Sequence, residues 1–329
     1  MPTHEMLPPA ATTPLMSFVI TTYNLPSDLL RDCLDSVLQL PLRDDEREIV
    51  LVDDGSEQSP LNELQAYTDR LTYVRKSNGG QSTARNMGIA CSHGTYIQFI
   101  DGDDMLNSQV YAYCLDIMRR EQPDILLFRY SRQPVHNISE GYTGPMEGNE
   151  YLRHHNLRAG PGGYLFRKDI LAGLRFHEGI IMEDEEFTPL LFLRAERVFF
   201  TDAQAYYYRE REGSTMRKRD EQWVKKRFDD TRTVIFSLHE KADRLPTADR
   251  EALLRRVHQL TMDYLYLIMK QTSDPDILEE RVRELHDKGL FPLPDRDYTT
   301  KYKWFRRMTM TQTGRRLLGG ILRGRSVGV

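Results

Sequence analysis

The stretch Gly94-Thr95-Tyr96-Ile97-Gln98-Phe99-Ile100-Asp101-Gly102-Asp103-Asp104 decides how the chain is read. Tyr96 to Ile100 is a short apolar run with β-branched and aromatic members, preceded by a glycine, and predicts a buried strand. Three carboxylates then occupy four positions. Like charges this close repel, so something must offset them. A hard divalent cation, Mn2+ or Mg2+, suits oxygen ligands best. Gly102 lets the backbone turn tightly and approach a ligand. The competing reading is a solvated acidic turn that caps the next helix.

On its N-terminal side, the same pattern repeats. Ser17 to Asn24 reads as a first strand and the loop leaving it, and Pro26-Ser27-Asp28 opens a helix with Leu29, Leu30, Cys33, Leu34, Val37 and Leu38 as its apolar face. Glu48 to Val52 is a second strand that ends in Asp53-Asp54-Gly55-Ser56. Tyr67 to Val74 supplies a weak helix end and a third strand. The polar loop Lys76 to Ser82 leads into a helix through Thr83-Ala84-Arg85-Asn86. Strands that alternate with helices predict an α/β fold, a mostly parallel sheet covered on both faces. In such sheets ligands bind at the carboxyl ends of strands. Tyr23-Asn24, Asp53-Asp54 and Asp101 to Asp104 all fall there.

These motifs resemble the nucleotide-sugar-dependent glycosyltransferases of family 2, which have the GT-A fold. The matching pieces are Val19 to Asn24, Val52 to Ser56, Asn78-Gly79-Gly80 with Ala84-Arg85-Asn86, Phe99 to Asp104, and Met182 to Phe187. They cover roughly residues 16 to 215. Thr21-Thr22 stands where the family often has a proline before its Tyr-Asn. The resemblance implies metal-dependent, inverting transfer of a sugar from a nucleoside diphosphate, with a UDP-sugar as expected donor. The acceptor would be a hydroxyl of a saccharide or lipid-linked acceptor in bacterial surface polysaccharide synthesis. Asp103 is the expected metal ligand, with Asp101 on the ribose or a metal-bound water. Thr21, Tyr23, Asp53, Asp54, Asn78 and Arg85 are the expected nucleotide contacts, with Tyr23 stacking on the base, Asp54 accepting from uracil N3 and Arg85 reaching the diphosphate. Asp184 is the expected general base. Arg209, Ser214 and Gly163 are expected near the diphosphate or acceptor. A nucleotidyltransferase of similar fold is the rival enzyme class, although its glycine-rich basic loop does not follow the first strand. An inactive nucleotide-sugar-binding module is the other alternative.

Past the carboxylates, Met105 to Arg120 predicts a helix, Pro123 to Tyr130 a strand, and Ser131 to Gly148 a hairpin or loop. Gly160 to Arg167 reads as a glycine-rich loop before a short helix. Val198 to Phe200 and Ala205 to Arg209 read as the last strands. From about Glu221 helical spacing dominates, which predicts a C-terminal helical appendage. The expected division is 1–15 as a flexible lead, 16–218 as the GT-A domain, 219–300 as helical, and 301–329 as a basic amphipathic tail. That tail holds no acid and interleaves eight Lys/Arg with Trp304, Phe305, Leu317, Leu318 and Ile321. Such a segment suits an anionic membrane surface.

Composition sets bounds on these readings. The 329 residues are 40% hydrophobic and 29% charged, as in an ordinary globular protein. A net charge of −4, with no recognition motif, argues against nucleic acid as a partner. Cys33, Cys91 and Cys114 follow no CxxC spacing and read as reduced thiols. The expected location is cytoplasmic, peripheral on the inner membrane.

Overall fold

The computed structural model describes residues 13–135, 140–211, 220–272 and 274–324. The chain divides into two compact units. One comprises Met1–Pro145, Pro161–Glu178 and Arg197–Arg209; the other comprises Met146–Gly160, Gly179–Glu196 and Glu210–Val329.

The first unit is built on β1 (Met16–Thr22), β2 (Arg47–Asp53), β3 (Thr72–Arg75) and β4 (Tyr96–Asp101), with α1 (Ser27–Leu38) and α2 (Gln81–Cys91) as connections. These four strands pair in parallel. Their apolar runs are continuous because both sheet faces are covered. Ile49 and Leu51 of β2 enter a cluster with Leu30, Leu34 and Val37 of α1, while Val50 and Val52 pack on Ala84 of α2. Alternate side chains on one strand thus serve opposite layers. Gly88 lets α2 lie close to β1, because a Cβ there would sit 2.1 Å from the Val19 Cγ1.

Beyond Asp104 come β5 (Met105–Leu106), α3 (Ser108–Glu121), β6 (Ile125–Leu127), β7 (Tyr130–Ser131), β8 (Tyr142–Met146), β9 (Tyr164–Arg167), β10 (Val198–Thr201) and β11 (Tyr206–Tyr207). The large sheet runs in the order β3-β2-β1-β4-β9-β6-β10-β8, and a small second sheet in the order β5-β11-β7. Three local expectations are corrected here. The helix expected from Met105 starts only at Ser108, because Met105–Leu106 pairs with β11. The strand expected from Pro123 to Tyr130 is split between the two sheets as β6 and β7. The Tyr164-Leu165-Phe166 run, expected as loop and helix, is a central strand antiparallel to both β4 and β6.

The second unit is helical: α4 (Gly148–His154), α5 (Glu183–Phe192), α6 (Glu221–Ala242), α7 (Thr247–Gln271), α8 (Pro275–Asp287), α9 (Thr300–Thr309) and α10 (Gln312–Gly324). Asp220, Asp274 and Thr299 cap α6, α8 and α9 by accepting backbone N–H bonds. Its core joins Val234 and Leu238 of α6, Val257 and Leu265 of α7, and Leu285 of α8. Tyr302 and Phe305 of α9 and Leu318 of α10 belong to the same core.

His258 of α7 lies within this unit, its Nδ1 2.9 Å from the Tyr298 hydroxyl and its ring stacked on Tyr298. Burial, reinforced by His239 and Arg296, lowers its pKa from 6.5 to about 4. Between those values the unfolded chain binds the proton and the folded chain does not, so stability falls as the pH falls. The expected loss reaches about 3 kcal/mol over that window. Urea unfolding from pH 7 to pH 4 should show a steeper decline for the natural protein than for His258→Phe. Parallel declines would mean that the ring does not control acid sensitivity.

Candidate active site

The parallel register sets the carboxyl ends of β2, β1 and β4 side by side. Thr21 lies beside Asp101, and Thr22 beside Asp53. Three strand ends therefore deliver their loops together. Gly102 N–H donates to the Thr21 carbonyl at 2.9 Å, and a Cβ at Gly102 would stand 3.0 Å from that oxygen. The chain turns out of β4 tightly against the end of β1 for this reason.

The turn after β1 is fastened to the turn after β2. Asn24, in the left-handed region at φ 47°, donates its N–H to the Ser56 hydroxyl at 2.9 Å and accepts from Glu57 N–H at 2.8 Å. Asn tolerates this backbone better than most residues. Tyr23, held just before this turn, is 50% exposed, and so is one of a few large apolar side chains that the described residues leave in solvent.

Asp53 and Asp54 are both buried. Asp53 accepts from Ser56 N–H and the Tyr73 hydroxyl, each at 2.8 Å, and Arg75 stands 3.5 Å away. Asp54 is the anchor of the following loop. Its Oδ1 accepts from Lys76 Nζ at 2.7 Å, Gly79 N–H at 3.1 Å and Thr83 Oγ1 at 3.4 Å. Its Oδ2 accepts from Gly80 N–H at 2.7 Å and Asn78 Nδ2 at 3.1 Å. From sequence, Asp54 is expected to take a base N–H. In this geometry any such donor must displace one of these five. Asn78, expected as a base contact, directs its amide to Asp54 and is exposed on its other side.

Asp101 is half-buried and accepts at Oδ1 from Gln81 Nε2 at 2.8 Å and Arg85 Nη2 at 3.0 Å. Arg85 itself is 3% exposed, with its guanidinium over the Phe176 ring. From sequence this guanidinium is expected at a diphosphate; in the structure it meets Asp101. Asp103 is half-exposed two residues on. Asp104 points inward and accepts from the Tyr206 hydroxyl at 2.7 Å and Arg209 N–H at 2.9 Å. The same Tyr206 hydroxyl accepts from Asp101 N–H at 3.2 Å. Burial, followed by the charge of Asp101, pushes the Asp104 carboxyl up to about 8. Asp104 does not cap α3, whose capping position is Asn107. The Arg209 guanidinium lies 3.0 Å from Asp32. Gly163 is buried with its α-carbon against the Tyr130 ring, which a Cβ would approach to 2.8 Å. Ser214 lies outside the described residues.

In the second unit, Asp184 stands in the first turn of α5, after Met182 in the left-handed region at φ 74°. A bulky residue in that region stores strain, which often marks a functional turn. Four acids in a helix's first turn are favoured by its dipole. The neighbours of Asp184 are separately held. Glu185 pairs with Arg256, and Glu186 accepts from Ser237 Oγ at 2.5 Å and Lys241 Nζ at 2.7 Å. Asp184 Oδ1 accepts from Glu185 N–H at 2.9 Å. Lys76, Gln81, Tyr206 and Arg256 were not legible as site-building residues. Each is an ordinary polar residue until tertiary pairing gives it a carboxylate.

A mostly parallel sheet whose central strand runs out into clustered carboxylates, with a helical C-terminal region, is the GT-A fold. Residues 17–176 match the model of glycosyl transferase family 2. Among curated proteins, the chain is 33% identical over 219 residues to the uncharacterized glycosyltransferase EpsJ of Bacillus subtilis (strain 168), covering 61% of this chain and 62% of that one. It is 25% identical over 207 residues to the minor teichoic acid biosynthesis protein GgaB of the same organism, covering 60% of this chain and 23% of that one. The chain thus spans less than two thirds of either relative's length. Among solved structures, residues 1–349 of S. aureus TarS in complex with UDP-GlcNAc share the fold at a TM-score of 0.66 and 18% identity, over 95% of this chain and 92% of that one.

The carboxylates fit a hard cation of the kind completed by substrate. Among the described residues, no three His, Cys, Asp or Glu side chains form a group able to hold a metal ion. A small cation such as Mg2+ instead takes one or two carboxylates with phosphate oxygens and water. Asp101 and Asp103 supply that donor set at an accessible strand end.

Proposed function

We propose that the chain transfers a sugar from a nucleoside diphosphate, UDP in particular, to a hydroxyl of a saccharide or lipid-linked acceptor of bacterial surface polysaccharide, with inversion. The observation that carries this reading is the register that sets Asp53 beside Thr22 and Asp101 beside Thr21, at the carboxyl ends of three neighbouring strands. Exposed Tyr23 offers a flat face on which uracil stacks. Asp53 and Asp54 hold the loops around that face, and Asp54 presents the Asn78-Gly79-Gly80 backbone. TarS in complex with UDP-GlcNAc indicates what this fold accommodates, and GgaB supports the cell-wall polymer class. Reduced cysteines suit a cytoplasmic site of action.

Asp103, with Asp101 beside it, would hold Mn2+ or Mg2+. Such an ion, when bound, neutralises charge on the leaving diphosphate. Asp184 takes the proton from the acceptor hydroxyl as that oxygen attacks the sugar's C1 from the face opposite the leaving group. Arg85 holds Asp101 in place from within the protein.

Titration calorimetry with UDP, GDP and dTDP, each with and without Mn2+, tests the donor class. UDP should bind at least ~10-fold more tightly with Mn2+, and Asp103→Ala should remove that gain. Metal-independent or absent binding of all three nucleotides would sink the proposed donor and metal site together.

A further inference from the structure

Five large hydrophobic side chains are conspicuously exposed among the described residues: Tyr23, Trp304, Met310, Leu317 and Ile321. Tyr23 has a place in the site above. The other four fall within a short stretch of α9, α10 and the link between them. Each helix is two-sided. On α9, Tyr302 and Phe305 are buried while Trp304 and Arg307 are exposed. On α10, Leu318 and Arg315 are buried while Arg316, Leu317 and Ile321 are exposed. Two cations are consumed internally: buried Arg315 pairs with Glu279, and the half-buried Arg323 guanidinium donates to backbone carbonyls of Met269 and Thr272. Lys303 and Arg306 reach Asp297 and Asp295. Arg307 and Arg316 have no acidic partner among the described residues.

We propose that the outer faces of α9 and α10 dock on a bilayer of anionic phospholipid. Apolar side chains next to uncompensated arginines match the layered chemistry of that surface, which has acyl chains below and phosphate charge above. Trp304 suits the interface between them, being apolar in body and polar at its N–H. A second copy of this chain is the poorer occupant, since the stretch from Lys301 on contains no acid and two such faces repel. The docking needs neither the sugar donor nor Asp184.

Deleting the chain from Lys301 on is not the test, because Tyr302, Phe305 and Leu318 belong to the helical core. Two surface variants of the full chain are used instead: Arg307→Gln with Arg316→Gln, and Trp304→Ser with Leu317→Ser and Ile321→Ser. Vesicles of phosphatidylglycerol and phosphatidylcholine in equal parts are compared with phosphatidylcholine alone in flotation assays. The natural chain should float with the anionic vesicles and lose that binding as salt rises. The arginine pair should weaken partitioning by about thirtyfold, at about fivefold for each basic residue. The apolar triple variant should weaken it further, with thermal melts of both variants unchanged. Three outcomes overturn the proposal: no flotation of the natural chain, equal flotation of the variants, or a concentration-dependent dimer that the variants abolish. UDP calorimetry on the same variants should be unaltered, which keeps this surface separate from the donor reading.

Discussion

Replacing Asp184 by Asn is expected to lower kcat for sugar transfer by about 10²–10⁴-fold while leaving the Kd for UDP nearly unchanged. Asn keeps the size and hydrogen-bonding capacity of the side chain, and its carbonyl oxygen can still accept the Glu185 N–H that Asp184 Oδ1 accepts. What it loses is the basicity needed to take a hydroxyl proton. The adjacent acids make the comparison specific. Glu185 is committed to Arg256 and Glu186 to Lys241 and Ser237, so their roles are structural in the folded unit. Glu185→Gln should therefore perturb stability more than chemistry, and Asp184→Asn the reverse. The readout is a set of kcat, KM and UDP calorimetry on both variants, with urea midpoints alongside. A parallel loss of UDP affinity in Asp184→Asn would show the residue to be a donor-binding group and move the base elsewhere.

Asp54→Ala is expected to destabilise the first unit by about 3 kcal/mol and to weaken UDP binding together with it. The carboxylate is 4% exposed and gathers donors from Lys76, Asn78, Gly79, Gly80 and Thr83. Its removal leaves the Lys76 ammonium beside a hole and frees two glycine N–H groups that were fixed. The loop is built around that oxygen pair, since Gly80 adopts φ 88° and a Cβ at Gly55 would approach Asn78 N to 2.6 Å. Urea unfolding measures the stability term, and amide exchange at Gly79 and Gly80 measures the local one. Asp54→Asn should fall between the natural protein and the Ala variant, because one oxygen survives. A change under about 0.5 kcal/mol with unaltered exchange would mean that the loop is held by its own turns.

The family fold was legible because its signals are local. A continuous apolar run, a glycine and a carboxylate at the strand's end sit within a dozen residues of each other, twice over. Parallel strands of this type read clearly, since burial on both faces removes polar interruption. The strand Tyr164–Arg167 was not legible, because its partners are Tyr96–Gln98 and Ile125–Leu127 in distant sequence and its short run is preceded by glycines. Period alone does not separate so short a run from a loop or helix. In the C-terminal stretch the alternation of bases and apolar residues announced two-sided helices. It did not announce which arginines meet Glu279, Asp295 or backbone carbonyls and which stay exposed.

By itself, then, the amino-acid order determined the layered α/β class and which acids stand at its strand ends, and it named Asp101, Asp103 and Asp184 as the acids on which the chemistry is proposed. These depend on neighbours within a turn or a strand, where backbone geometry leaves few choices. Only the tertiary structure decided the partners of each charge. Asp54 meets Gly80 across 26 residues, Arg256 meets Glu185 across 71, and Tyr206 meets Asp104 across 102. A carboxylate's donors are chosen by which loops packing brings within about 3 Å, and that is a property of the folded chain.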